Sequence, residues 1–175
     1  LYQGKSITVR FRQADLVADL DRALDSGAGA GSPDLVTASA LFDLASSAFI
    51  ERFARAVVAR KAVFYTVLTY NGIQTWTPPH PADADMVAAF HAHQLTDKGF
   101  GVAAGPGAPK ALEQGFSAAG ARVEEGDSPW VLAATDTALI RDLALGFAAA
   151  VAETGRVPEA EISGWSRIMR TGLLG

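Results

Sequence analysis

The stretch "AVFYTVLTY", residues 62–70, constrains this chain more than any other. Its β-branched and aromatic residues run without strict alternation of apolar and polar side chains. A strand exposed on one face alternates, whereas a strand covered on both faces need not. The stretch therefore predicts a strand buried on both sides of a mostly parallel sheet. Such a sheet requires helices above and below it, and the rest of the chain supplies candidates. Upstream, "SAFIERFARAVVARK" places Phe49, Phe53 and Val57 four apart and widens the stripe with Ile50, Ala54 and Val58, which predicts a packed helix. Before it, Asp34–Ala38 reads as a short strand that begins after the helix-breaking Ser32-Pro33. Still earlier, Ile7, Val9 and Phe11 alternate with polar residues up to Gln13-Ala14-Asp15, and Leu16, Leu20 and Leu24 mark an amphipathic helix.

The order strand, helix, strand, helix, strand predicts a layered α/β sheet with helices on both faces. The sequence downstream breaks this rhythm. Residues 71–109 form a long insert holding all three histidines and "TDKGFG", with a helix predicted from Pro81 through Leu95. "APKALEQGFSAAG" reads as a further helix, and "ARVEEGDSPWVLAA" as two antiparallel strands joined by a Gly-Asp-Ser-Pro turn. Asp136 or Thr135 can cap a helix whose Leu139, Leu143, Phe147 and Val151 recur every fourth residue. The tail reads as helical through Met169, with Ile162, Trp165, Met169 and Leu173 forming an apolar stripe for docking or a dimer contact.

The glycines of "DSGAGAGSP" follow a helix and precede a strand, the reverse of the order in which a glycine loop cradles phosphate at a helix N-terminus. Gly27, Gly29 and Gly31 are read as a connection. Composition narrows the function classes further. A single domain fits 175 residues with 49% hydrophobic and 19% charged side chains. A net charge of −4 disfavours nucleic acid as a partner, and no apolar run is long enough to span a bilayer. Zero cysteines exclude disulfides and thiolate chemistry, which suggests a cytoplasmic protein. His91 and His93 are two apart, so on a helix they diverge by about 200° and no metal site is expected.

Four pieces, "RQADL", "DLVTASALFDLAS", "FYTVLTYNG" and "WTPPHPADADMVAAFHAHQLTDKGFG", resemble an S-adenosylmethionine-dependent methyltransferase of the Rossmann-like class. The family's glycine-rich loop on its first strand and the acidic residue ending its second strand do not appear. The resemblance thus implies the C-terminal portion of a methyltransferase-like domain over residues 1–175, with its first two strands missing and an antiparallel strand at its C-terminal end. Residues 71–109 would be the substrate-side insert. It also implies that the strand near Ile7 is the family's third and that at Asp34 its fourth. A gap between them would favour self-association.

The resemblance assigns Asp15 and Leu16 to the cofactor's adenine, and Thr37, Ala38, Ser39 and Leu41 to its methionine end. A helix N-cap is the alternative for Asp15. Phe42, Asp43, Trp76, Asp97, Lys98 and Phe100 would meet a small-molecule substrate, with Asp43 alternatively capping the next helix. Tyr70 and His93 would sit at the reacting end, where a histidine is suited to accept a proton near neutrality. The alternative for His93 is a structural hydrogen bond. A non-catalytic α/β binding or assembly module, unable to hold the cofactor as it stands, is the competing reading of the whole chain.

Overall fold

A computed structural model describes residues 4, 6, 8–26 and 31–171. Among these it contains α1 (Leu16–Ser26), β1 (Leu35–Ser39), α2 (Ser47–Ala59), β2 (Val63–Val67), α3 (Asp83–Gln94), α4 (Ala108–Ala118), α5 (Thr137–Thr154) and α6 (Glu159–Thr171). The chain is α/β, with a two-stranded sheet in which β1 and β2 pair in parallel from Leu35↔Val63 to Ser39↔Val67. A parallel pair requires a crossover, and α2 provides it.

The helices form for legible reasons. Ser46 accepts the Phe49 N–H at 3.2 Å and so caps α2, whose Phe49, Ile50, Phe53, Ala54 and Val57 are buried. Asp15 Oδ1 accepts from the N–H groups of Val17 and Ala18 at 2.8 and 3.2 Å and caps α1 in the same manner. The first core joins α1, α2, α4 and the inward sheet face: Val36, Ala38 and Phe64 pack beneath Phe42, Phe53 and Phe116. Phe64 stacks on Phe116 at 4.9 Å and meets Phe53 edge-on at 5.1 Å. Ring pairs of this kind add about 0.5–1.5 kcal/mol each beyond the area they bury.

A second core joins α3, α5 and α6 and contains no strand residue. Met86, Ala144, Phe147, Val151, Trp165 and Met169 fill it, and Trp165 Nε1 donates to Asp83 Oδ1 at 2.7 Å. The stripe of Ile162, Trp165 and Met169 is therefore interior, not a docking surface; Leu173 lies outside the described residues. On α5 the buried face runs through Ile140, Ala144, Phe147, Ala148 and Val151, and Leu139 is exposed, so the expected stripe is rotated.

Several expectations for the sheet are corrected. The strand expected at residues 7–14 is absent among the described residues 8–15, where Val9 and Phe11 are 67% and 96% exposed; Ile7, Gly27 and Gly29 lie outside the described residues. The antiparallel pair expected over 121–133 is also absent, with Trp130 and Val131 exposed. A strand gains stability only from neighbours, and neither segment has one. Nor does the sheet carry helices on both faces. Burial alternates along both strands, and Leu35, Val63, Tyr65 and Val67 point to an uncovered face. The unbroken apolar run of β2 marks a side chain set suited to two covers, of which α1, α2 and α4 supply one.

Candidate functional site

The two strands end alike. Ala40 and Leu68, each one residue beyond the paired positions Ser39 and Val67, both adopt left-handed backbone, with φ of 51° and 58°. Neither is glycine, so each conformation costs free energy, about 1–3 kcal/mol, and is held by its surroundings. Ala40 N–H donates to Val67 O at 3.2 Å and ties the two tips together.

The helix N-termini converge on this end. Arg52 of α2 donates to Leu16 O and Val17 O at 3.0 and 2.6 Å, while Arg60 at the far end of α2 grips Asp25 and Asp21 at 2.6 and 2.9 Å. α1 and α2 therefore lie side by side in the same direction, and α2 starts just after the β1 tip. Asp15, Ala38 to Asp43 and Tyr70 accordingly share one end of the sheet. Ligands of open α/β sheets bind beyond this end.

Asp43 is the most unusual residue there. Ser46, not Asp43, caps α2, and the Asp43 Oδ1 atom is buried without a hydrogen-bond partner. Burial pushes its carboxyl above the ordinary range near 3.8. Its carbonyl accepts the Gly105 N–H at 3.0 Å. Gly105 in turn leaves room for Gln94: a Cβ on it would stand 3.4 Å from Gln94 Cβ. Gln94 Oε1 and Thr69 Oγ1 are further buried atoms with no partner. Tyr70 Oη lies 3.0 Å from His91 Nε2, and burial raises the Tyr70 pKa to about 12. Gly72 fits between His91 and Pro106, where a Cβ would come 2.9 Å from Pro106 Cβ. The strand tips, the C-terminal half of α3 and the 105–106 turn thus meet, and the segments after the strand tips and the end of α3 each carry a buried polar atom with unfilled hydrogen-bonding capacity.

Other expected site residues lie elsewhere. Phe42 is fully buried in the first core, 5.1 Å from Phe53 and 5.5 Å from Phe64, and is out of a ligand's reach. Trp76 packs on Trp165 and Phe147 in the second core. Phe100 meets Phe49 edge-on at 4.8 Å. Asp97 Oδ1 accepts from the N–H groups of Gly99 and Gly101 and shapes its own loop. His93 faces Glu153 at 2.9 Å and borders a cavity shared with Lys98, so it and Tyr70 are not brought together. Thr37 and Ser39 lie on the uncovered sheet face, while Ala38 and Leu41 pack against the first core. His91, Gln94 and Thr69 escaped sequence reasoning, because nothing in their spacing signals that α3 turns one histidine to the sheet and the other to α5.

Compared with known proteins, the chain matches no family model, no curated protein and no solved structure.

Proposed function

We propose that the chain is part of an S-adenosylmethionine-dependent methyltransferase of Rossmann-like architecture, acting on a small-molecule acceptor. One observation carries the reading: two adjacent parallel strands end in strained left-handed turns beside the unpartnered Asp43 carboxylate oxygen. Strain and unfilled polar capacity concentrate where a ligand is bound. When bound, the cofactor supplies a sulfonium methyl whose departure needs no acid. The chain's own residues need only align the partners and exclude water.

In this reading Leu16 N–H and Asp15 face the adenine. Asp15 Oδ1 is occupied in capping α1, which leaves Oδ2 for the adenine's amine. At the methionine end Thr37 and Ser39 offer side chains, while Ala38 and Leu41, whose side chains pack against the first core, offer only backbone. Asp43 and Tyr70 face the acceptor, with His91 in place of His93 as the histidine bonded to Tyr70. A proton released by a hydroxyl or ammonium acceptor passes to this pair. A cytoplasmic setting belongs to the same proposal; no helix among the described residues is long and apolar enough to cross a membrane.

The second reading, a non-catalytic binding or assembly module that self-associates, is favoured by the uncovered sheet face with Leu35, Val63 and Tyr65 at 56–65% exposure. Calorimetric titration with S-adenosylhomocysteine separates the two. It is performed on the chain and on the natural gene product containing it. Binding whose dissociation constant corresponds to a free energy weaker by about 1.5–3 kcal/mol on Asp15→Ala supports the methyltransferase. No heat from either protein rejects it in favour of the module.

A further inference from the structure

On the side of α3 facing away from the strand tips, the C-terminal ends of α3 and α5 meet at a cavity of about 290 Å³. His93, Lys98, Glu153 and Arg156 border it. Each basic group stands on pinned backbone. The Thr96 hydroxyl donates to His93 O at 2.8 Å, and Asp97 holds the turn carrying Lys98 through Gly99 and Gly101 N–H at 2.7 and 3.1 Å. Gly155 closes α5 in left-handed conformation, φ 62°, and Arg156 N–H then donates to Thr154 Oγ1 at 3.2 Å.

The two cations are uncommitted. Every arginine of α1 and α2, and Arg122, Arg141 and Arg170 as well, sets its guanidinium on a carboxylate or a carbonyl. The Arg156 guanidinium and Lys98 Nζ make no such bond among the described residues, although Asp85 and Glu161 line a neighbouring cavity that Arg156 also borders. Glu153 is turned to His93 at 2.9 Å and does not neutralise either of them. The negative ends of two helix dipoles explain why basic residues gather here. Arg10, Arg12, Lys61 and Lys110 also make no such bond among the described residues, and what distinguishes Lys98 and Arg156 is that two separate loops bring them to one cleft.

We propose that this cleft binds the phosphate group of a small ligand, with Arg156 and Lys98 taking its oxygens. A planar carboxylate is satisfied by one guanidinium fork, whereas a tetrahedral phosphate accepts donors from two loops at once and carries charge for both. Glu153 opposes the anion and sets the affinity. The inference is independent of methyl transfer and uses none of the strand-tip residues.

The test is a ¹H–¹⁵N NMR titration of the whole chain with inorganic phosphate at low ionic strength. Saturable shifts are expected at the amides of Lys98, Thr154 and Arg156. Arg156→Gln and Lys98→Gln, both outside the cores, should each weaken binding at least about tenfold. Glu153→Gln should tighten it, while Asp142→Asn, the same change in net charge elsewhere on α5, should leave it unaltered. Shifts that do not saturate, binding that survives Arg156→Gln, or equal tightening by both charge-removing variants overturns the proposal. Equal binding of acetate overturns the assignment to phosphate.

Discussion

Asp43→Asn isolates the energetic consequence of the unpartnered carboxylate. Burial raises the folded-state pKa of Asp43 above its ordinary value near 3.8. The folded protein therefore retains a proton over a pH range in which the unfolded chain has lost it. The sign follows: the stabilisation associated with Asp43 is fully present below pH 3.8 and is lost as pH rises through the folded pKa. While that one proton separates the two states, stability falls with a limiting slope of about 1.4 kcal/mol per pH unit. A buried polar atom without a partner costs about 1–3 kcal/mol. Asparagine preserves the shape and one such atom but removes the charge. Because Asp43 is half-buried, the lower end applies, and the variant should be more stable than the wild type by about 1 kcal/mol at pH 7. Urea unfolding of both proteins between pH 4 and 8 measures this directly. The difference, variant minus wild type, should rise with pH. Parallel profiles, or a variant less stable at neutral pH, would refute the argument that burial of Asp43 outweighs the carboxyl's one backbone hydrogen bond. Retention of so costly a carboxylate would itself fit a ligand contact, since functional sites commonly sacrifice stability.

Three further outcomes follow from the same geometry. Phe42→Ala should cost about 3–5 kcal/mol in urea unfolding, because the ring is fully buried between Phe53 and Phe64; a loss below about 1 kcal/mol would contradict its place in the core. Gly72→Ala should destabilise by about 1–3 kcal/mol, since φ is 86° and the new Cβ would meet Pro106 at 2.9 Å; an unchanged thermal midpoint would argue against that close approach. In an alkaline absorbance titration of tyrosinate, Tyr70→Phe should remove a step near pH 12; loss of an ordinary step near pH 10 instead would show that Tyr70 is not shielded.

How much of this was legible before the structure varied by element. Helices are legible where an apolar stripe has a period near 3.6, as in α2 and α1, and the Asp15 cap of α1 is legible as well. The strands at Leu35–Ser39 and Val63–Val67 were read from β-branched runs bounded by breakers. Residues 8–15 and 121–133 failed because strand propensity is realised only against a neighbour, and the sequence of a single segment carries no record of whether one is present. At the strand tips, Ala38 and Tyr70 follow from the order of elements, whereas the strand expected to end at Asp15 is absent and Asp15 stands there as the cap of α1. The division of labour within the insert does not follow from that order.

The chain's own sequence determined where most helices lie, that Leu35–Ser39 and Val63–Val67 extend, and that the connection between them is a helix, because periodicity and breakers are local properties; that only these two segments extend and pair was decided by the tertiary structure. Only the tertiary structure decided that Phe42 and Trp76 are interior, that Ser46 caps α2 in place of Asp43, and that His91 meets Tyr70 while His93 meets Glu153. Those outcomes depend on how far each helix rotates about its axis to bury its best-fitting face. That rotation is set by packing between residues as far apart as His93 and Glu153, which no local pattern encodes.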